Sequence, residues 1–162
     1  MLGHSFPTRR SSDQLELVLA DPSLVPAAIE ESLRFDSPFQ FSFREAGDDV
    51  VLSGVRIPKG ELIILLIGAA NRDVTYFDDP DRFDLTRTSQ HVGFGHGIHF
   101  CLGAALARME AQVAVGRILA HLPDFELDRD KLVDRNSLIM WGKENIPIVR
   151  RETSEQQVRT AS

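Results

Sequence analysis

The chain has 162 residues, about one domain's worth, and its 43% hydrophobic and 26% charged content is that of an ordinary soluble protein. A formal net charge of −6 argues against a general nucleic-acid binder, and a single cysteine excludes an internal disulfide and fits a reducing cytoplasm. The longest apolar run, residues 62–70, is too short to span a bilayer, and no charged-then-apolar leader opens the chain, so no membrane association is expected.

The first residues, His4-Ser5-Phe6-Pro7-Thr8-Arg9-Arg10-Ser11-Ser12-Asp13, show neither a helical nor a strand period. They read as a disordered tail, or as a lead-in to a helix capped by Asp13. They also resemble the translation of a common DNA-sequencing adapter, which makes residues 1–13 a candidate foreign segment. A short helix is predicted over residues 14–19, ending before Asp21-Pro22. The next starts at Ser23 or Pro26 and runs to about Phe35, with Leu24, Ala27 or Ala28, and Leu33 on a buried stripe, and Ser37-Pro38 ends it. Residues 41–46 read as a strand in which Phe41 and Phe43 alternate. Residues 50–52 and 55–57 flank Ser53-Gly54 as a hairpin. After the turn Pro58-Lys59-Gly60, residues 61–67 read as a buried strand or a strand running into a helix. Residues 72–90, rich in Asp, Arg and Pro, form a long irregular segment. The surest helix covers residues 102–122, with Leu106, Met109, Val113, Gly116 and Ala120 as its apolar stripe and Pro123 closing it. Short strands are expected at 125–127 and 146–149, and residues 151–162 read as a disordered tail.

The only cysteine, Cys101, sits where the run Phe94-Gly95-His96-Gly97-Ile98-His99-Phe100-Cys101-Leu102-Gly103 opens into that long helix. Unpaired N–H groups and the positive end of the helix dipole favour the thiolate there, the form that ligates metal. Glycines let the backbone approach something flat or bulky, and Phe94 offers it a face. Two plain alternatives stand beside this. One is a small buried thiol next to a glycine-rich turn. The other is zinc held by Cys101 with His91, His96 and His99, whose spacings do not follow the usual paired patterns.

The spacing Phe94, Gly97, Cys101, Gly103 resembles the haem-binding loop of the cytochrome P450 family. Two further motifs accompany it in the same order: Glu31-x-x-Arg34 on a helix and Pro80-Asp81-Arg82-Phe83 ahead of the cysteine loop. By its spacing alone the Glu31/Arg34 pair is a surface ion pair worth ~0.2–0.5 kcal/mol. The resemblance instead implies a buried structural triad of Glu31, Arg34 and Arg82. It implies that Cys101 ligates the iron of haem b (iron-protoporphyrin IX) and that Arg44 and His99 hold its propionates. Phe94, Gly95, Leu102 and Gly103 would complete the cofactor seat, and Phe39, Phe41 and Met140 would line the substrate pocket. Without the family, Arg44 is an exposed strand-end arginine. Arg108 is either a solvated helix residue or, as the family implies, one facing a redox partner.

The resemblance covers residues 14–150 and only the C-terminal portion of family members. The implied fold is α+β, mainly helical, with small antiparallel sheet pieces, and the implied domain is a partial haem domain. The distal helix with its oxygen-activating acid and alcohol residues has no counterpart here. The implied enzyme inserts one atom of O2 into a lipophilic substrate, with electrons from a ferredoxin or flavodoxin and its NAD(P)H reductase. The chain alone is expected to be inactive. The rival functions are a haem-binding module without oxygenase activity and a zinc-stabilised structural domain.

Overall fold

Residues 9–88 and 90–151 are described by the computed structural model. Helix α1 (Arg9–Ala20) begins earlier than residue 14, so residues 9–13 are helical rather than a disordered lead-in. Residues 1–8 and 152–162 lie outside the described residues. Arg151, placed in the expected tail, donates its amide to the Asp124 carbonyl at 2.8 Å.

Asp21 stops α1 and caps the next turn, its carboxylate accepting the Ser23 N–H at 3.0 Å. That 3-10 turn (Pro22–Leu24) leads directly into α2 (Val25–Phe35), with Pro26 in the first turn, where a missing N–H costs nothing. Strand β1 (Ser42–Glu45) is followed by β2 (Val50–Leu52) and β3 (Val55–Ile57), which pair as the expected hairpin. Ser53 (φ 50°) and Gly54 (φ 81°) are both left-handed, as a two-residue turn matching strand twist requires. Strand β4 (Leu62–Leu65) returns antiparallel to β1, with Ser42 opposite Leu65 and Glu45 opposite Leu62. The strand then passes into a single-turn helix, α3 (Ile67–Ala70). The expected burial of this run does not hold: Leu62, Ile64 and Leu65 are exposed, because nothing in the described residues packs on β4's outer face.

Helix α4 (Ala104–His121) starts after Gly103, and Pro123 sits in a 3-10 turn (Leu122–Asp124) that closes it. Strand β5 (Phe125–Leu127) pairs with β8 (Ile148–Arg150), and the hairpin-like pair β6 (Val133–Asp134) and β7 (Lys143–Asn145) lies between them in sequence. The last strand starts at Ile148 rather than residue 146; Pro147 has no N–H for the ladder and gives only its carbonyl, to Asp128. All four sheets among the described residues have two strands.

The core is built by helices. Val18, Val25, Ile29 and Leu85 form its buried centre, and Ala111, Val115 and Leu119 of α4 pack against it. This is the face of α4 opposite the expected stripe: Leu106, Met109, Val113 and Ala120 are exposed, and only Gly116 of the five is half-buried. Helix α4 is apolar on both faces, so its period could not tell which one meets α2. The face with small residues, Ala104 and Ala111, takes the close approach. Among the described residues no helix is long and apolar enough to cross a membrane.

Candidate functional site

The cysteine loop is held by its own backbone. The Cys101 N–H donates to the Phe94 carbonyl at 2.8 Å, the Gly95 N–H to Val92 at 2.8 Å, and the Ala104 N–H to the Cys101 carbonyl at 3.2 Å. Between Phe94 and Cys101 the chain makes a 3-10 turn (Gly97–His99). Gly95 has φ 77°, a left-handed backbone that favours glycine, and a Cβ there would press on the His99 carbonyl oxygen at 3.3 Å. Cys101 is exposed immediately ahead of α4, whose N-cap residue, Gly103, supplies no side-chain cap.

The zinc reading fails on geometry. Among the described residues no three His, Cys, Asp or Glu side chains are placed to share a metal. His91 points to Glu30 and Gly93, His96 lines an open hollow of about 500 Å³ with Asn71 and Tyr76, and His99 lies exposed on the 3-10 turn. The buried-thiol reading fails as well, since Cys101 is exposed. What remains is one sulfur donor among apolar side chains, with Ile98 and Leu102 almost fully exposed and Phe100 half so. That set suits a metal arriving already held by an apolar macrocycle, which needs only one protein ligand. Arg44 suits the anionic edge of such a group. Its Nη1 bonds only Ser42 Oγ (3.1 Å) and the Phe43 carbonyl (2.7 Å), and among the described residues it has no acidic partner.

Phe39 and Met140 are brought together. They form an antiparallel bridge, continued by Gln40 N–H to the Ile139 carbonyl (3.0 Å) and Trp141 N–H to the Pro38 carbonyl (2.7 Å). Phe41 packs edge-on against Phe43, ring centroids 5.4 Å apart. Phe39, Phe43 and Met140 keep exposed apolar surface.

Glu31 and Arg34 are not a surface pair; they are 4% and 1% exposed. All five N–H donors of the Arg34 guanidinium are used: Nε and Nη2 on Glu31 (2.7 and 2.8 Å), Nη1 on the Asn71 and Pro80 carbonyls (2.8 and 2.9 Å), and Nη2 on the Arg82 carbonyl (3.0 Å). The third member differs from expectation. The Arg82 side chain is 48% exposed and leans 3.9 Å from Asp84, contributing only its carbonyl to the cluster. Its place is taken by Arg87, 10% exposed, whose Nε lies 3.4 Å from Glu31 Oε1. The reason is local: the turn that carries Arg82 outward turns its neighbour Phe83 inward against Phe35, centroids 5.7 Å apart. A second turn, Arg87 N–H to Asp84 O, brings Arg87 back over the Asp78, Asp79 and Arg82 carbonyls.

The sequence reading also missed Asn71, completely buried. Its Nδ2 donates to Ser37 Oγ and its Oδ1 accepts the Val92 N–H at 2.8 Å, tying the end of α2 to the start of the cysteine loop. Nothing in its local sequence, an uncharged polar residue after Ala69-Ala70, marks it for burial. Arg108 is about a third exposed and is tied to the chain's own acid, a pairing that spacing did not show. Its Nε and Nη2 bind both oxygens of Glu30 at 2.6 and 2.8 Å.

Arg108's hydrogen bonds hold the Glu30 carboxyl below the usual glutamate range, against a partial-burial effect that raises it, with His91 adding to the lowering. A carboxylate so lowered contributes stability above its unfolded value, and that contribution is lost as pH falls through the folded one. Glu30→Gln is therefore expected to flatten the loss of stability below about pH 4. Urea midpoints at pH 3, 4, 5 and 7 check this, and a parallel pH dependence in parent and variant would count against it.

The sequence pattern of the family described as Cytochrome P450 matches residues 17–148. The chain belongs to the cytochrome P450 family. It is 54% identical over 140 residues to cytochrome P450 107B1 of Saccharopolyspora erythraea, covering 84% of this chain and 35% of that protein. It is 50% identical, with the same coverage, to the vitamin D(3) 25-hydroxylase of Pseudonocardia autotrophica. Among solved structures, P450BioI in complex with an acyl carrier protein ligated to hexadec-9Z-enoic acid superposes with a TM-score of 0.81 at 41% identity, over 86% of this chain and 37% of that one. The chain thus spans about a third of the length of the curated P450s it matches. The mixed helical fold with small antiparallel sheets is the corresponding part of the P450 fold, and the family implies haem.

Proposed function

We infer that this chain carries the haem-ligating part of a P450 monooxygenase acting on a lipophilic substrate. The observation that carries the reading is the lone, exposed Cys101 sulfur with apolar neighbours and no second protein ligand near it among the described residues. A thiolate-ligated haem supplies the electron donation that favours O–O cleavage. In this reading Cys101 would ligate the iron of haem b, and Phe94, Gly95, Leu102 and Gly103 would form its seat. Arg44 and His99 bind the propionates, and Phe39, Phe41 and Met140 exclude water from one side of the substrate. The electron donor is a ferredoxin or flavodoxin with its NAD(P)H reductase, and the setting is cytoplasmic. Residues 14–150 form the partial haem domain. Residues 1–13 are foreign, a reading that resequencing the source DNA with different library chemistry would end by recovering the same codons.

The deciding measurement is a haem titration of the purified chain, followed by the spectrum of the reduced, CO-bound form, with Cys101→Ser as control. A thiolate-type Soret band present in the parent and absent in the variant is the expected result. A band unchanged in Cys101→Ser would sink the ligand assignment.

For the isolated chain we expect no substrate turnover with a reconstituted electron-transfer chain. Turnover of any substrate would overturn that expectation.

A further inference from the structure

Next to the Glu31–Arg34 cluster, and separate from it, Glu30 organises a second node. Its carboxylate takes the Arg108 fork from α4 (2.6 and 2.8 Å) and His91 Nε2 from the cysteine loop (3.1 Å). The other ring nitrogen, Nδ1, accepts the Gly93 N–H at 3.0 Å, so the network assigns the proton to Nε2, which donates to Glu30. The His91 side chain is buried. Gly93 itself is pressed against α2: a Cβ there would lie 3.1 Å from the Leu33 carbonyl oxygen and 3.0 Å from His91 Nδ1. The plane of Arg108, fixed by Glu30, lies over the Phe94 ring, Cζ to centroid 4.6 Å. Phe94 is the residue whose carbonyl holds the Cys101 N–H. Three segments of the chain therefore converge on one aromatic residue, and that residue is bonded to the cysteine.

We propose that Glu30, Arg108 and His91 are positioning residues for the Cys101 thiolate, acting through Phe94. A bidentate carboxylate fixes the guanidinium plane in a way a lysine cannot, and the fixed plane holds the ring by cation–π attraction. The ring's position sets the Phe94 carbonyl, and that carbonyl sets the Cys101 amide. The idea rests on the haem-thiolate reading for its purpose, but its structural content is present in the chain without haem.

The test is amide hydrogen exchange on the full haem-free chain, comparing the parent with Arg108→Gln, Arg108→Lys and Glu30→Gln. Protection of the Cys101 amide is expected to fall about tenfold in Arg108→Gln and Glu30→Gln, and less in Arg108→Lys. Amides of α1 and of the β2–β3 hairpin should be unchanged. In a Phe94→Leu background, Arg108→Gln should add little further loss, because the route through the ring is already gone. A Cys101 amide unprotected in the parent, unaltered in both variants, or lost only together with α1 overturns the proposal. So does a full Arg108 effect in the Phe94→Leu background. In haem-loaded chain, Arg108→Gln should move part of the reduced, CO-bound spectrum away from the thiolate type at equal haem content. Whether haem binds at all bears on the proposed function; the exchange measurement decides the positioning role.

Discussion

Arg34→Leu is expected to cost the fold about 3–5 kcal/mol, the penalty for breaking a buried ion pair by removing one partner. The substitution leaves the Glu31 carboxylate, 4% exposed, with only the Asp84 N–H and the looser Arg87 contact at 3.4 Å, and takes the donors from three carbonyls, those of Asn71, Pro80 and Arg82. Small domains have about 5–15 kcal/mol in total, so this one change uses a large share of it. Arg34→Lys should recover little, since an ammonium cannot reach five acceptors on three segments. The double variant Glu31→Leu, Arg34→Leu should lose less than Arg34→Leu alone, because the buried carboxylate goes with its main partner, and Arg87 keeps its carbonyl acceptors. Urea unfolding followed by circular dichroism measures all three. A parent-like midpoint for Arg34→Leu would show that the cluster does not carry the fold.

The same cluster shows what a sequence can and cannot reveal. Glu31 and Arg34 stand one helical turn apart, so their pairing is local and was readable; their burial depends on residues 71–87 wrapping over them and was supplied only by the family resemblance. Which arginine completes the cluster depends on the sense of two turns, after Asp79 and after Asp84, and spacing alone does not fix that sense. The hairpin at Ser53-Gly54 was legible because its turn chemistry is local. The β6–β7 pair was not, being a few mostly polar residues with no alternation to read. The Glu30–Arg108 node escaped because its partners lie 78 residues apart, and each alone looks like a charge on a helix surface. The family signature around Cys101 was legible for the opposite reason, since all of it lies within one loop.

The stripe on α4 that was expected to face the core leads to the other large effect. Leu106, Met109 and Val113 are 54, 58 and 62% exposed. Covering what is left of each side chain gains roughly 1 kcal/mol, so the three offer about 3 kcal/mol per chain, or about 6 kcal/mol when the stripes of two copies meet. A micromolar complex needs about 8 kcal/mol after association costs, so this stripe alone does not hold a specific dimer. Exposed Ile98, Leu102, Leu62 and Ile64 add to the apolar surface, and the sum favours loose, concentration-dependent association of the isolated chain. The triple variant Leu106→Gln, Met109→Gln, Val113→Gln is expected to shift it to monomer with unchanged helix content. None of the three belongs to the packed cluster, and glutamine is a good helix former. Ala111→Gln, one residue on the opposite face, should do the reverse and destabilise the fold by about 1–3 kcal/mol, because it forces a long side chain into the contact with α2. Sedimentation velocity at two concentrations, with circular dichroism, reads both. A monomeric parent would show that the exposed stripe does not drive association, and a triple variant that loses its helix would mean that α4 meets the rest of the chain through that stripe.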